Sequence, residues 1–404
     1  MIKNFTYKNS ISKNYINAKL KKKLSKVFNN TISKISKEVE NPEKFFNILS
    51  EDYKFNFRTE DLKRFKRYNS IVIVGMGGSI LGAEAIYEFL FKKIKKNLYF
   101  INNIDEEKIL NIQKEINIKK TLFLIISKSG NTIEMISNYI FLNILKKNAK
   151  NIICISEKKN NLIYNFSQKY NLFYIEHKNF IGGRYSVLSE VGMLPAFLMG
   201  LNLKRFRKNL KIYLKGKEKD FLKDSTIKLS NILLSKKMNN IILLNYSPRL
   251  EKFLFWVQQL VAESLGKKGK GFLPVISNAP KDHHSLLQLY LDGPNDKILY
   301  IFSERKKFKL RLNTKKIDKS LKYLHNKSLY QVQESQKNAL IKVLKKKNIP
   351  FREFKINNTC EEVLGELFSY FILETIFIGK MANLDPFNQP AVEEVKIFAK
   401  KLLN

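Results

Sequence analysis

Six consecutive residues, Ser127-Lys128-Ser129-Gly130-Asn131-Thr132, supply three hydroxyls, one ammonium group and a glycine. They follow an apolar run, Thr121-Leu122-Phe123-Leu124-Ile125-Ile126, and open a helical pattern. A loop of that composition at a helix N-terminus suits a phosphoryl group. Free N–H groups and hydroxyls donate hydrogen bonds, and the lysine adds a point charge. A second loop, Gly75-Met76-Gly77-Gly78-Ser79, ends the β-branched run Ile71-Val72-Ile73-Val74 and also precedes a helical pattern. It offers close backbone approach at Gly78 and a hydroxyl at Ser79. It is not a dinucleotide fingerprint, because Ile80 stands where the third glycine belongs. No Gly-Lys-Ser/Thr follows, so it is not a nucleotide P-loop either. Ligands bind at the carboxyl ends of strands in open α/β sheets, where two such loops would converge. Phosphate loops without a nucleotide signature point to a sugar phosphate.

Other residues could move protons. Glu263 falls in the last turn of a helix expected over 247–265, off its apolar stripe. The negative end of the helix dipole eases proton uptake there, which suits a general base. Trp256, Gln259 and Glu263 share one face by their i, i+3, i+7 spacing. Gly182-Gly183-Arg184-Tyr185-Ser186 pairs two glycines with an arginine that can stabilise an oxyanion. Of the four histidines, His283 and His284 are adjacent, while His177 and His325 read as surface residues. No pair has a metal-ligand spacing, so no protein-bound metal and no cofactor are expected.

The elements that must position these residues read as α/β. Continuously apolar strands at 71–74, 98–101, 121–126 and 151–155 alternate with helices. Strands buried on both faces imply a parallel sheet. The alternation restarts with strands at 240–244 and 297–302 and helices over 247–265, 360–378 and 391–403. The expected architecture is two tandem αβα sandwiches with parallel sheets, flanked by helical segments. The division is 1–65 (N-terminal helical segment), 66–203 (first sandwich), 204–237 (helical connector), 238–385 (second sandwich) and 386–404 (C-terminal helix).

The 404 residues are 44% hydrophobic and 27% charged, as in ordinary soluble globular chains. The balance of 74 Lys and Arg against 36 Asp and Glu gives a formal net charge of +38. Lysine runs recur at 21–23, 92–96, 146–147, 267–270, 306–309 and 345–347, so the charge is dispersed rather than gathered on one tail. With no nucleic-acid motif, this reads as a solvated lysine-rich surface that steers small anions, and no specific nucleic-acid partner is expected. Two cysteines, Cys154 and Cys360, exclude a disulfide scaffold and read as buried free thiols. The first twenty residues lack the apolar core of a secretory signal, and no run of about 20 apolar residues would span a membrane. A cytoplasmic protein is expected.

Taken in order, these segments resemble the glucose-6-phosphate isomerase family over about residues 70 to 400. They are V-G-M-G-G-S-I-L-G at 74–82, the loop 127–132, and G-G-R-Y-S-V-L-S at 182–189. E-S-L-G-K at 263–267, H-S-L-L-Q-L-Y-L-D-G at 284–293 and F-N-Q-P-A-V-E-E-V-K at 387–396 complete the set. The third and last are specific to the family, while the first two fit any sugar-isomerase-type domain. The resemblance implies two such domains with the site between them. It assigns proton transfer between C1 and C2 to Glu263, ring opening to His284 and Lys396, and stabilisation of the cis-enediol(ate) to Arg184. Gly78, Ser79, Ser127, Lys128, Ser129, Thr132, Gly183 and Gln389 become substrate contacts. The family histidine comes from the neighbouring subunit, so a homodimer is implied. The sequence departs from the family pattern at Leu265, Ala391 and Ser129. A dual phosphoglucose/phosphomannose isomerase and a non-catalytic sugar-phosphate-binding regulator are the rival readings.

Overall fold

The computed structural model describes residues 4–306, 308–315 and 317–403. Among these, ten strands form two five-stranded sheets. The first holds β2 (Ser70–Val74), β3 (Asn97–Ile101), β4 (Thr121–Ile126), β5 (Ile152–Ser156) and β6 (Phe173–Glu176) in the order β3-β2-β4-β5-β6. All its pairings are parallel. The second holds β1 (Phe5–Asn9), β7 (Asn240–Asn245), β8 (Leu273–Asn278), β9 (Lys297–Glu304) and β10 (Phe351–Ile356) in the order β1-β10-β9-β7-β8. It too is parallel, except that β1 runs antiparallel to β10.

The strand sequences explain the layering. Ile71 and Ile73 of β2 face one core, and Val72 and Val74 face another. β7 divides in the same way, with Ile241 and Leu243 on one side and Ile242 and Leu244 on the other. These two strands are apolar on both faces because both faces of their sheets are covered. One large core runs continuously from the inner face of one sheet to the inner face of the other. The helices Leu81–Leu90, Glu251–Leu265 and Glu361–Met381 fill it. Glu361–Met381 is buried almost throughout, as expected of a helix apolar all round.

The two-sheet α/β architecture stands as expected, with corrections of detail. Residues 5–9, expected within a helical segment, form a strand on the edge of the second sheet. β6, β8 and β10 were also unforeseen. β6 has only four residues. β8 carries Pro274, tolerated because β8 is an edge strand. β10 alternates charged and apolar residues, and its Arg352 is fully buried against Glu374 and Tyr370. The charged 204–237 stretch includes the helix Gly216–Ser235, whose Leu222, Ile227, Leu229, Ile232 and Leu233 enter the central core. Cys154 is buried, but Cys360 is only partly so.

Candidate active site

Three segments meet where the two sheets face each other. The first is the loop after β2. Gly77 has φ +53°, and a Cβ on Gly78 would stand 2.3 Å from the Gly183 carbonyl. Only glycine at 78 lets this loop lie against 182–186. Beyond it, Ser79 is buried at the entry to helix Leu81–Leu90. A Cβ at Gly183, by contrast, would meet nothing within 4 Å. Its open side leaves room for a ligand to approach the backbone.

The second segment carries Arg184, which is buried. A guanidinium has five N–H donors, and here every one has an acceptor. Nε donates to Ser264 Oγ at 2.8 Å. One terminal nitrogen donates to Glu263 Oε2 at 3.0 Å and to Gln389 Oε1 at 2.6 Å. The other donates to the carbonyls of Pro386 and Asn388 at 2.6 and 3.0 Å. Tyr185 strengthens the junction, its hydroxyl 2.9 Å from Ser264 Oγ and donating to the Pro386 carbonyl at 2.8 Å. Arg184 therefore ties the first sheet's layer to the helix after β7 and to the segment after helix Glu361–Met381.

The third segment is the helix Glu251–Leu265, with Glu263 in its last turn. The Glu263 side chain is 32% exposed, so it combines solvent access with fixed partners. Gln259, one turn earlier, donates to Glu263 Oε1 at 2.8 Å. Both carboxylate oxygens are thus oriented by charge-assisted or amide donors. Gln259 lay on the expected face beside Glu263. Trp256 does not belong to that face: it is 1% exposed and packs edge-on against Phe368 at 4.8 Å. Core helices cover this helix on more than one side, and Trp256 lies on a covered side. Leu265, a departure from the family pattern, is also buried in the core and packs near Gly379.

The loop after β4 is preorganised. Ser127 Oγ lies 3.0 Å from Thr132 Oγ1 and accepts the Gly130 N–H at 3.2 Å. Ser129 Oγ accepts the Asn131 N–H at 3.3 Å. Gly130 has φ +68°, and a Cβ there would collide with Asn161. Thr132 stands at the N-cap of helix Ile133–Phe141, but its hydroxyl makes no capping bond. The first-turn N–H groups therefore have no side-chain cap to compete with an anion. Lys128 lies 3.5 Å from Glu157. Burial pushes its ammonium below the usual range, Glu157 opposes that shift, and the charge of Arg184 adds to it.

His177 is not where the sequence places it. It is 1% exposed, not on the surface. Its Nδ1 lies 2.9 Å from the Lys178 carbonyl, and Nε2 is buried without a partner. Burial pushes its pKa down to about 4, with Lys128 adding to the shift. It stands just beyond β6, in a polar run whose burial depends on the strands beside it. Ser264 and Tyr185 were also missed as site residues, although each adjoins one in sequence. His325 is only partly exposed, with Nδ1 accepting the Thr314 N–H at 3.3 Å.

Two expected site residues are not brought to Glu263 within this single chain. His284 is exposed on the turn Lys281–His284 beyond β8. Its neighbour His283 is held by the Tyr246 hydroxyl at 2.7 Å. Lys396 lies on the exposed helix Glu393–Leu402, paired with Glu393 at 2.7 Å. That helix leaves Val395, Ile397, Phe398 and Leu402 uncovered. Gln389, by contrast, is held at Arg184, and Ala391 lies on the exposed turn just after it. Among the described residues, no group of three or more His, Cys, Asp or Glu side chains could hold a metal ion. No helix among them is long and apolar enough to cross a membrane.

A doubly layered α/β chain with a hydroxyl-rich anion loop and an Arg–Glu pair between its sheets has the build of a phosphosugar isomerase. The family model for phosphoglucose isomerase matches residues 61–272. A probable glucose-6-phosphate isomerase from Methanococcus maripaludis is 32% identical, over 99% of this chain and 94% of that one. The glucose-6-phosphate isomerase of Methanocaldococcus jannaschii is also 32% identical, over 85% of this chain and 87% of its own. The chain belongs to the phosphoglucose isomerase family. Its fold is shared by a hypothetical protein from Thermus thermophilus, with a TM-score of 0.80 at 23% identity, covering 95% of this chain and 96% of that one. A glucose-6-phosphate isomerase from Chlamydia trachomatis gives a TM-score of 0.78 at 17% identity, covering 100% of this chain and 89% of that one.

Proposed function

We propose that this chain interconverts glucose 6-phosphate and fructose 6-phosphate through a cis-enediol(ate). The observation that carries the reading is the 3.0 Å contact between Arg184 and Glu263. It joins an oxyanion stabiliser to a base at a point reached by anion-binding loops. Glu263 takes the proton from one carbon and returns it to the next. When it accepts that proton its charge is lost, and negative charge appears on the enediolate oxygen. The Arg184 donor that held the carboxylate is then free to serve that oxygen, so the same cation follows the charge. Ser127, Lys128, Ser129 and Thr132, with Gly78, Ser79 and Gly183, would anchor the phosphate and its sugar. Binding energy from that unreacting end orients the carbons against the base. No cofactor or metal is needed for this chemistry.

Ring opening is assigned to His284 and Lys396, with Gln389 as a further substrate contact. The exposure of His284 fits its delivery to a second copy of the chain, and we take the working form to be a homodimer. The uncovered apolar face of helix Glu393–Leu402 fits docking of that helix when the site assembles. We retain 66–203 and 238–385 as the two sugar-isomerase-type domains and place the enzyme in the cytoplasm. A coupled dehydrogenase assay with fructose 6-phosphate, run in parallel with mannose 6-phosphate, tests the reading. Turnover confined to the glucose/fructose pair is expected. Turnover of both hexoses would make it a dual isomerase, and saturable binding without turnover would make it a regulator.

A further inference from the structure

The chain has ten arginines among 74 basic residues, so lysine provides most of the surface charge. Most of the arginines have a partner for the guanidinium fork. Seven of the ten place it on a carboxylate, a carbonyl or an amide oxygen. Arg64, Arg67 and Arg305 do not, and the first two line one cavity of about 620 Å³. Arg64 lies over the rings of Phe65 and Phe173 at 4.9 and 4.8 Å. Arg67 donates to the Tyr68 hydroxyl at 3.0 Å. Both guanidinium groups are thus positioned, yet among the described residues neither has a carboxylate within 4.0 Å. Asp61, whose carboxylate senses Arg64, is already gripped by Arg58 at 2.9 and 3.0 Å.

Lys150 and the hydrogen-bonded pair Asn148 and Asn171 complete the polar lining, and none of the residues lining this cavity is acidic. Another cavity, beside Glu84 and Asn102, is lined by five carboxylates and two lysines. The net charge of the chain is therefore not simply repeated in every concavity. The arginine cavity lies before β2, β5 and β6, at the amino ends of the strands. The loops of the candidate active site lie at their carboxyl ends. The two are at opposite ends of the strands of the first sheet.

We propose that this cavity binds a small phosphorylated anion at a site separate from the active site. Two guanidinium forks match phosphate oxygens, and the lysine adds a third charge. The volume suits a small metabolite rather than a bare ion. This inference does not depend on the isomerase reading.

Inorganic pyrophosphate is the probe, titrated calorimetrically into the full chain at physiological salt. Ser127→Ala/Thr132→Ala weakens the catalytic phosphate loop, and a saturable site should remain. Adding Arg67→Gln should weaken that site by about tenfold, the scale of one lost charge-assisted hydrogen bond. Arg64→Lys keeps a cation over the rings but loses the fork, and should also weaken it. Lys21→Ala/Lys22→Ala, at a lysine run elsewhere, should change it less than about twofold. All of these Arg and Lys variants should isomerise at the rate of their parent chain. No saturable site in the Ser127→Ala/Thr132→Ala chain would overturn the proposal. So would unchanged affinity with Arg67→Gln, or an equal loss from the Lys21/Lys22 control.

Discussion

The two sheets share the order of four parallel strands but not one chemistry. β2 stands between β3 and β4 as β7 stands between β8 and β9. Each is the point where the chain's winding reverses, the place where open α/β sheets bind ligands. In the first sheet that place is lined by glycines, four hydroxyls (Ser79, Ser127, Ser129 and Thr132), a lysine and an uncapped helix start. In the second it holds Glu304, which accepts from Ser247 Oγ and pairs with Lys306 at 2.6 Å and with Arg249 at 4.0 Å. A buried carboxylate there satisfies its own neighbours and repels a phosphate. The second sheet contributes instead through the far end of its helix, where Glu263 meets Arg184. In the proposed reading, one layout serves as the anion anchor and its counterpart supplies the base.

The division of labour can be broken residue by residue. Glu263→Gln should lower kcat by about a thousandfold or more, because it removes the proton carrier. Affinity for fructose 6-phosphate should stay within a few fold by calorimetry, since the anchor belongs to the other sheet. The anchoring end of the first sheet should also be acid-sensitive, through His177. Its pKa of about 4 lies below the unfolded value near 6.5, so its contribution is complete above pH 6.5. That contribution is lost as pH falls from 6.5 toward 4, by roughly 3 kcal/mol in all. Denaturation midpoints at pH 7.5 and 4.5 should differ less in His177→Gln than in the parent chain.

Gly78→Ala should cost about 1–3 kcal/mol of stability, because its Cβ would strike the Gly183 carbonyl. A lowered melting temperature with lost activity is the expected result. Lys128→Ala should raise KM by about tenfold with little change in kcat, the signature of lost ground-state anchoring. The smallest effect belongs to the second sheet. Glu304→Gln should lower the melting temperature and leave KM for fructose 6-phosphate unchanged. A rise in KM there would mean that both switch points handle phosphate.

What was legible in the sequence was local. Each candidate phosphate loop is a strand, a turn and a helix start within about fifteen residues, so its chemistry can be read in place. Glu263 and Arg184 were legible as types, but the contact between them depends on how two sheets pack. Burial was the weak point for the same reason. Trp256 shares a polar face by spacing only until helices from both layers close over it. His177 reads as a surface residue until neighbouring strands bury it, and Arg352 makes β10 look unlike a central strand until Glu374 is beside it. His284 and Lys396 were legible from the family pattern alone, since this single chain leaves both exposed.

The most direct test of the central claim is fructose 6-phosphate incubated with the chain in deuterium oxide, followed by proton and deuterium NMR. The account predicts glucose 6-phosphate carrying deuterium at C2 from the parent chain, and neither product nor exchange from Glu263→Gln. No glucose 6-phosphate from the parent chain, or exchange undiminished in Glu263→Gln, would contradict it.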